Sequence, residues 1–131
     1  RIHRQAVPYL QETLGLDSVL KDTFALAYNH LLLGDSYDKL GEYDKAEKAL
    51  RKAYDWGLLM SPVEAANARI CLASAKYDEG DLDSALDIIR QIDNEVIPDF
   101  RNLYLAVASE VYHAAGIFDT AYIYAHELVL S

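Results

Sequence analysis

The chain has 131 residues, of which 52% are hydrophobic and 25% charged, so it is expected to form one domain with its own core. Its 21 acidic and 12 basic side chains give a net charge of −9, and such a chain repels phosphates, so binding to nucleic acid is not expected. Charged residues interrupt every apolar stretch, which argues against direct insertion of this chain into a membrane.

In chain order, apolar residues recur at helical spacing and nothing indicates a strand. A first helix is predicted from about His3 to Leu14 and ends at Gly15. The second begins at Ser18, or after a break near Thr23, and continues to Leu40. Serine, proline and glycine signals delimit the later helices. These are predicted at Tyr43–Trp56, Pro62–Glu79, Leu82–Asn94, Pro98–Ala115 and Phe118–Leu130.

One short pattern occurs three times. Glycine is followed by any residue, a large apolar residue, aspartate, any residue and alanine, beginning at Gly41, Gly80 and Gly116. A spacing of 36 to 39 residues is typical of arrays of helical hairpins. Each glycine is expected to end a helix in the left-handed conformation, and each alanine to let the next helix approach closely. The sequence therefore predicts a repeat protein.

The first copy carries further residues of a known signature. Leu33-Gly34 and Tyr37 precede the glycine, and Ala46, Leu50 and Ala53 follow it. In this order the chain resembles the tetratricopeptide-repeat family, although Ala73 and Ser109 replace Gly34 in the later copies.

The resemblance implies an all-α fold, an α-α superhelix in which helical hairpins stack into a right-handed solenoid. Residues 1–131 are expected to form a single repeat domain, cut from a longer protein because the chain opens on Arg1 without a methionine. Residues 1–15 are interpreted as the second helix of a truncated preceding repeat. The repeats are assigned to residues 27–60, 66–99 and 102–131.

In this family the first helices of the hairpins line a concave groove that binds a protein or peptide. The resemblance places twelve residues of this chain there: Tyr28, Leu31, Asp35, Asp38, Asn67, Ile70, Ser74, Tyr77, Leu103, Ala106, Glu110 and His113. Such a mixed apolar, aromatic and acidic lining suits a segment with apolar anchors and some positive charge. The alternative is a groove that holds only solvent.

The last helix is apolar around most of its circumference, whereas a terminal helix should have a polar outer side. We expect it to pack against another repeat or helix, or against a second copy of the chain, through Phe118, Tyr122, Tyr124 and Leu128. The alternative is a helix end frayed by truncation.

Catalytic, cofactor and metal signatures are not found in the sequence, so no cofactor is expected and the chain is not expected to be an enzyme. The four histidines are scattered over several helices, and Cys71, the single cysteine, is interpreted as a small buried hydrophobe. With one cysteine the compartment stays open between cytoplasm and periplasm.

One branch of the resembled family is excluded by residue type. Members that grip the acidic tails of heat-shock chaperones use lysines, asparagines and an arginine, whereas the matching positions here are Leu31, Asp35, Cys71, Leu103 and Val107. The leading hypothesis is an interaction module or scaffold within a larger bacterial regulatory or sensor protein. The second is a structural spacer or dimerisation element without a groove ligand.

Overall fold

The computed structural model describes residues 6–8, 11, 23–59, 62–93 and 100–130. Within this part of the chain there are six helices and no strand, which confirms the all-α prediction, and residues 6–8 and 11 are helical as well. The helices are α1 (Thr23–Lys39), α2 (Tyr43–Leu58), α3 (Pro62–Glu79), α4 (Leu82–Asp93), α5 (Arg101–Ala114) and α6 (Phe118–Leu130).

The three repeated glycines occupy equivalent bends. Gly41, Gly80 and Gly116 have φ of 77°, 93° and 79°, the left-handed region in which a residue without Cβ is favoured. At the first bend the Gly41 N–H donates to the Asp38 carbonyl, and the next N–H, of Glu42, donates to that of Tyr37. This is the Schellman arrangement, and it satisfies carbonyls at the end of α1. At the second bend the N–H groups of Gly80 and Asp81 donate to the carbonyls of Tyr77 and Lys76, respectively. At the third, those of Gly116 and Ile117 donate to the carbonyls of His113 and Tyr112.

The helix boundaries agree closely with those expected from sequence. Both ends of α3 and of α6 are as predicted, while α2 continues two residues further, to Leu58. The start of α5 is Arg101, and the proline and aspartate expected to open it lie outside the described residues. The same holds for the alternative start near Ser18 and for most of the helix predicted over residues 3–14.

Small residues let the two helices of each hairpin approach closely. Ala46, Ala85 and Ala121 are all buried. In the first hairpin, Gly34 of α1 faces Leu50 of α2, a side chain that is almost fully buried. Since a larger residue at these positions would overpack the contact, the repeated alanine is explained by helix approach.

Successive hairpins stack through the second helix of one and the first helix of the next. Leu50 of α2 packs with Leu72 and Ala75 of α3. An ion pair of 2.6 Å between Lys76 Nζ and Glu47 Oε1 joins the same two helices. The first helices also contact one another, α1 with α3 and α3 with α5, so they form a continuous row.

Candidate functional site

The row of first helices carries the twelve residues predicted to line the groove. Tyr28, Leu103, Glu110 and His113 are exposed in this row. Six more are half-buried: Leu31, Asp35, Asn67, Ser74, Tyr77 and Ala106. These ten side chains keep surface available to a partner.

The predicted lining is wrong for the other two residues, Ile70 and Asp38. Ile70 has no exposed surface and Asp38 is 7% exposed, so neither presents its side chain to a ligand. Ile70 is covered because α3, the middle first helix, contacts α1, α2, α4 and α5. Asp38 is covered at the contact between α1 and α3, where it faces Asp78.

A cleft lies among α3, α5 and α6, beside the row of first helices. It is an open cleft of about 460 Å³. Its lining consists of Tyr77, Ser109, Glu110, His113, Phe118, Ala121, Tyr122 and Ala125. Three predicted groove residues and two residues predicted for the exposed terminal face therefore belong to one cleft. We call this set the α3/α5/α6 cleft.

The α3/α5/α6 cleft exists because the third hairpin lacks a large side chain. Leu50 in the first hairpin and Ile89 at the corresponding position in the second are buried against their partner helices. Ala125 takes this place in α6 and is exposed. Ser109, Ala121 and Ala125 were missed as lining residues, although aligning the three copies would have shown the large-to-small change at residue 125.

Aromatic rings and one carboxylate define the chemistry of the cleft. The rings of His113 and Phe118 meet edge to face with centroids 5.3 Å apart, and the Tyr122 ring stacks on that of His126 at 5.9 Å. Glu110 is the acidic side chain of the described lining. No lysine or arginine follows Arg101 in the sequence, and Arg101 itself is paired with Glu127. The cleft thus combines an apolar floor with negative charge.

The predicted terminal face of α6 is partly different from that observed. Tyr124 is half-buried and packs inward, its ring centroid 5.7 Å from that of Tyr112 and 6.0 Å from that of Tyr104. Leu128 is also half-buried. Tyr124 points inward because it lies on the side of α6 that faces α5. The exposed large apolar residues of α6 are Phe118, Tyr122, Ile123, Val129 and Leu130.

A carboxyl pair lies beside the row, at the contact between α1 and α3. Burial, a hydrogen bond shared with Asp78 and the charge of Asp78 together raise the pKa of Asp38 to about 7. Lys39 opposes this effect, whereas Asp35 adds to it. Near neutral pH this pair therefore holds a proton that an exposed aspartate would release.

The single cysteine, Cys71, is not activated as a nucleophile. Burial raises the pKa of the Cys71 thiol to about 12, so the thiol stays protonated and is a poor nucleophile. Within the described ranges no group of three histidine, cysteine, aspartate or glutamate side chains could hold a metal ion.

Comparison with known families finds a match in the first hairpin. Residues 27–56 match a model described as tetratricopeptide repeat, and these residues span most of α1 and α2. A search of curated proteins found no match. Among the described helices, none is long and apolar enough to cross a membrane.

Proposed function

Because the chain belongs to the tetratricopeptide-repeat family, whose members generally mediate protein interactions and are typically non-catalytic, we propose that it binds a peptide segment of a partner protein in its groove. The observation that carries the proposal is the α3/α5/α6 cleft. A volume of about 460 Å³ accommodates one large apolar side chain together with part of its backbone.

The proposed ligand has an apolar anchor and a neighbouring lysine or arginine. Phe118 and Tyr122 are exposed, and burying their rings against an apolar side chain removes apolar surface from water. Glu110 stands at the same cleft and supplies the partner for a cation. Asp35, further along the row on α1, is already paired with Lys39 at 3.6 Å, so Glu110 is the carboxylate assigned to the cation.

Selection of peptides tests the ligand class. Peptides selected from a randomised display library on the immobilised 131-residue chain should share a large apolar residue next to a basic one. Glu110→Lys should weaken their binding by about tenfold or more, because it replaces attraction with repulsion. Asp87→Lys on α4 makes the same charge change at an exposed position outside the cleft and should leave the affinity unchanged. Peptides without a basic residue, or equal losses in both variants, would refute this ligand class.

A second candidate function is dimerisation through α6. Ile123, Val129 and Leu130 are exposed by 52%, 81% and 73% and do not line the cleft. Large apolar side chains exposed on one helix suit an interaction surface. Sedimentation equilibrium should show a dimer that Val129→Glu converts to monomer, while Asp119→Glu on the same helix has no effect. A wild-type chain that stays monomeric at all concentrations would exclude this function.

We also propose that this chain is the recruiting or sensing segment of a larger bacterial regulatory or sensor protein. The general use of such repeats to recruit proteins supports this role. Reading the parent gene tests it, since an output domain of another class beside the repeats is expected. A parent consisting of repeats alone would favour the structural spacer instead.

A further inference from the structure

A second cavity, of about 400 Å³, lies at the first hairpin and has the opposite electrostatic character. Three lysines of α2, at positions 45, 48 and 52, line it together with His30 of α1. Its described lining contains no aspartate or glutamate. In a chain of net charge −9, so one-sided a lining indicates attraction for anions.

The three lysines follow one face of α2, and two of them are available to a ligand. Lys45 is engaged already, since its Nζ lies 3.2 Å from Glu42 Oε1 and 5.6 Å from the centroid of the Tyr37 ring. Lys48 and Lys52 are exposed, and within the described residues neither has a carboxylate partner. Two ammonium groups on adjacent turns match a doubly charged oxyanion.

Polar groups of α1 complete the cavity. The Tyr37 hydroxyl accepts a hydrogen bond of 2.9 Å from Gln11 Nε2, so its own proton can be donated to a ligand. His30 Nδ1 has no accessible surface and no hydrogen-bond partner among the described residues. Burial and the charge of Lys52 lower the pKa of His30, so the ring is neutral at pH 7.

The rest of the cavity wall is apolar. Leu33 and Ala49 are buried core residues that also border this space. A cavity of about 400 Å³ is larger than a bare inorganic ion fills, whereas a small organic group would occupy the remaining space against this wall. The ligand therefore needs both an anionic group and a compact apolar body.

We propose that this cavity binds a small phosphomonoester, with its phosphate between Lys48 and Lys52 and its organic body against Leu33 and Ala49. The Tyr37 hydroxyl donates to a phosphate oxygen. This site is separate from the α3/α5/α6 cleft, so the two proposals stand or fall independently.

The test titrates the 131-residue chain with phenyl phosphate and follows backbone and histidine signals by NMR. Saturable shifts are expected around His30, Lys48 and Lys52. Lys48→Ala and Lys52→Ala should each weaken binding about tenfold, as expected for loss of a charged contact. Arg51→Ala removes one charge from the same helix outside this lining and should retain the wild-type affinity. Circular dichroism of each variant checks that it remains folded.

Proton linkage gives a readout that a general effect of charge would not produce. A dianion beside the His30 ring favours its protonated form, so bound phenyl phosphate should raise the pKa of His30 above its value in the free chain. Absence of saturable shifts, an unchanged pKa of His30, or equal losses in the Arg51 and Lys48 variants would overturn the proposal. If inorganic phosphate binds as tightly as phenyl phosphate, the organic group of the ligand makes no contribution to binding, and that part of the proposal is wrong.

Discussion

Gly34 of α1 and Leu50 of α2 are in such close contact that a Cβ built on residue 34 would lie 2.5 Å from Leu50 Cγ and 2.6 Å from its Cδ2. The corresponding pairs in the later hairpins are Ala73 with Ile89 and Ser109 with Ala125. Leu50 and Ile89 have side chains of equal size and face a glycine and an alanine, whereas in the third pair a serine on the first helix faces only an alanine on the second. The large side chain closes the first two hairpins, and its absence opens the third as the α3/α5/α6 cleft.

Gly34→Ala is predicted to destabilise the chain by about 1–3 kcal/mol, because the added methyl group displaces Leu50 from a close-packed contact. Chemical denaturation measures the change. Ser109→Ala, at the equivalent position of the third hairpin, should be nearly neutral. Leu50→Ala makes room for the added methyl group, so Gly34→Ala should cost less stability when both changes are combined. In a double-mutant cycle, the losses of unfolding free energy in the two single variants should therefore add up to more than the loss in the double variant. Additive losses would show that the two residues do not compete for space.

Rebuilding the third hairpin is predicted to close the cleft. Ala125→Leu combined with Ser109→Gly recreates the Gly34 and Leu50 pair and should stabilise the chain by about 1 kcal/mol through added apolar burial. The same variant should lose binding of the selected peptides. Ala125→Leu alone should gain less stability, since the Ser109 side chain stays in the way. Peptide binding that survives the double variant would place the ligand elsewhere.

Gly80→Ala should cost about 1–2 kcal/mol because φ at this residue is 93°. Crowding is not the cause, since nothing lies within 4 Å of the Cβ that would be added. Gly80→Asn is the matched control, and it should cost less because asparagine tolerates the left-handed region. Thermal denaturation ranks the variants, and equal losses for alanine and asparagine would contradict the conformational explanation.

The Asp38 and Asp78 pair predicts a specific pH dependence. The pKa of Asp38 is raised from 3.8 to about 7, so the folded state binds the proton more tightly than the unfolded state does. The contribution of Asp38 to the free energy of unfolding therefore falls as pH rises between about 4 and 7, by about 1.4 kcal/mol per unit of pKa difference. Asp38→Asn should remove this slope and stabilise the chain at pH 8.

The measurement is the difference in the free energy of unfolding between wild type and Asp38→Asn from pH 4 to pH 8. Taking the difference cancels the contributions of other titrating groups to the free energy of unfolding. One of these is Glu47, whose pKa is lowered by its hydrogen bonds with Lys76 and Arg51, so its stabilising contribution is lost at acid pH. Asp87→Asn, at an exposed position of α4, is measured in parallel as the control for removing one surface carboxylate. A flat curve for Asp38→Asn would show that Asp38 is not protonated near neutral pH.

Local signals made most of the fold predictable. A left-handed bend favours glycine, so the three repeated glycines predict where helices end. Proline is favoured in the first turn of a helix, so Pro62 predicts the start of α3. Burial of Ile70 and Asp38 depends on how neighbouring first helices close over them, which a position-by-position alignment of repeats does not contain. Tyr124 was assigned to the outer face for the same reason, since its inward direction is set by packing on Tyr104 and Tyr112.

A peptide site in the α3/α5/α6 cleft is tested by an NMR titration of the isotopically labelled chain with a selected peptide that carries an apolar residue beside a basic one. We expect the largest backbone shifts on Tyr77, Glu110, His113 and Tyr122, and we expect them to disappear in Ala125→Leu with Ser109→Gly. Shifts concentrated on the outer surfaces of α2 and α4, with these four residues unchanged, would contradict a peptide site in this cleft.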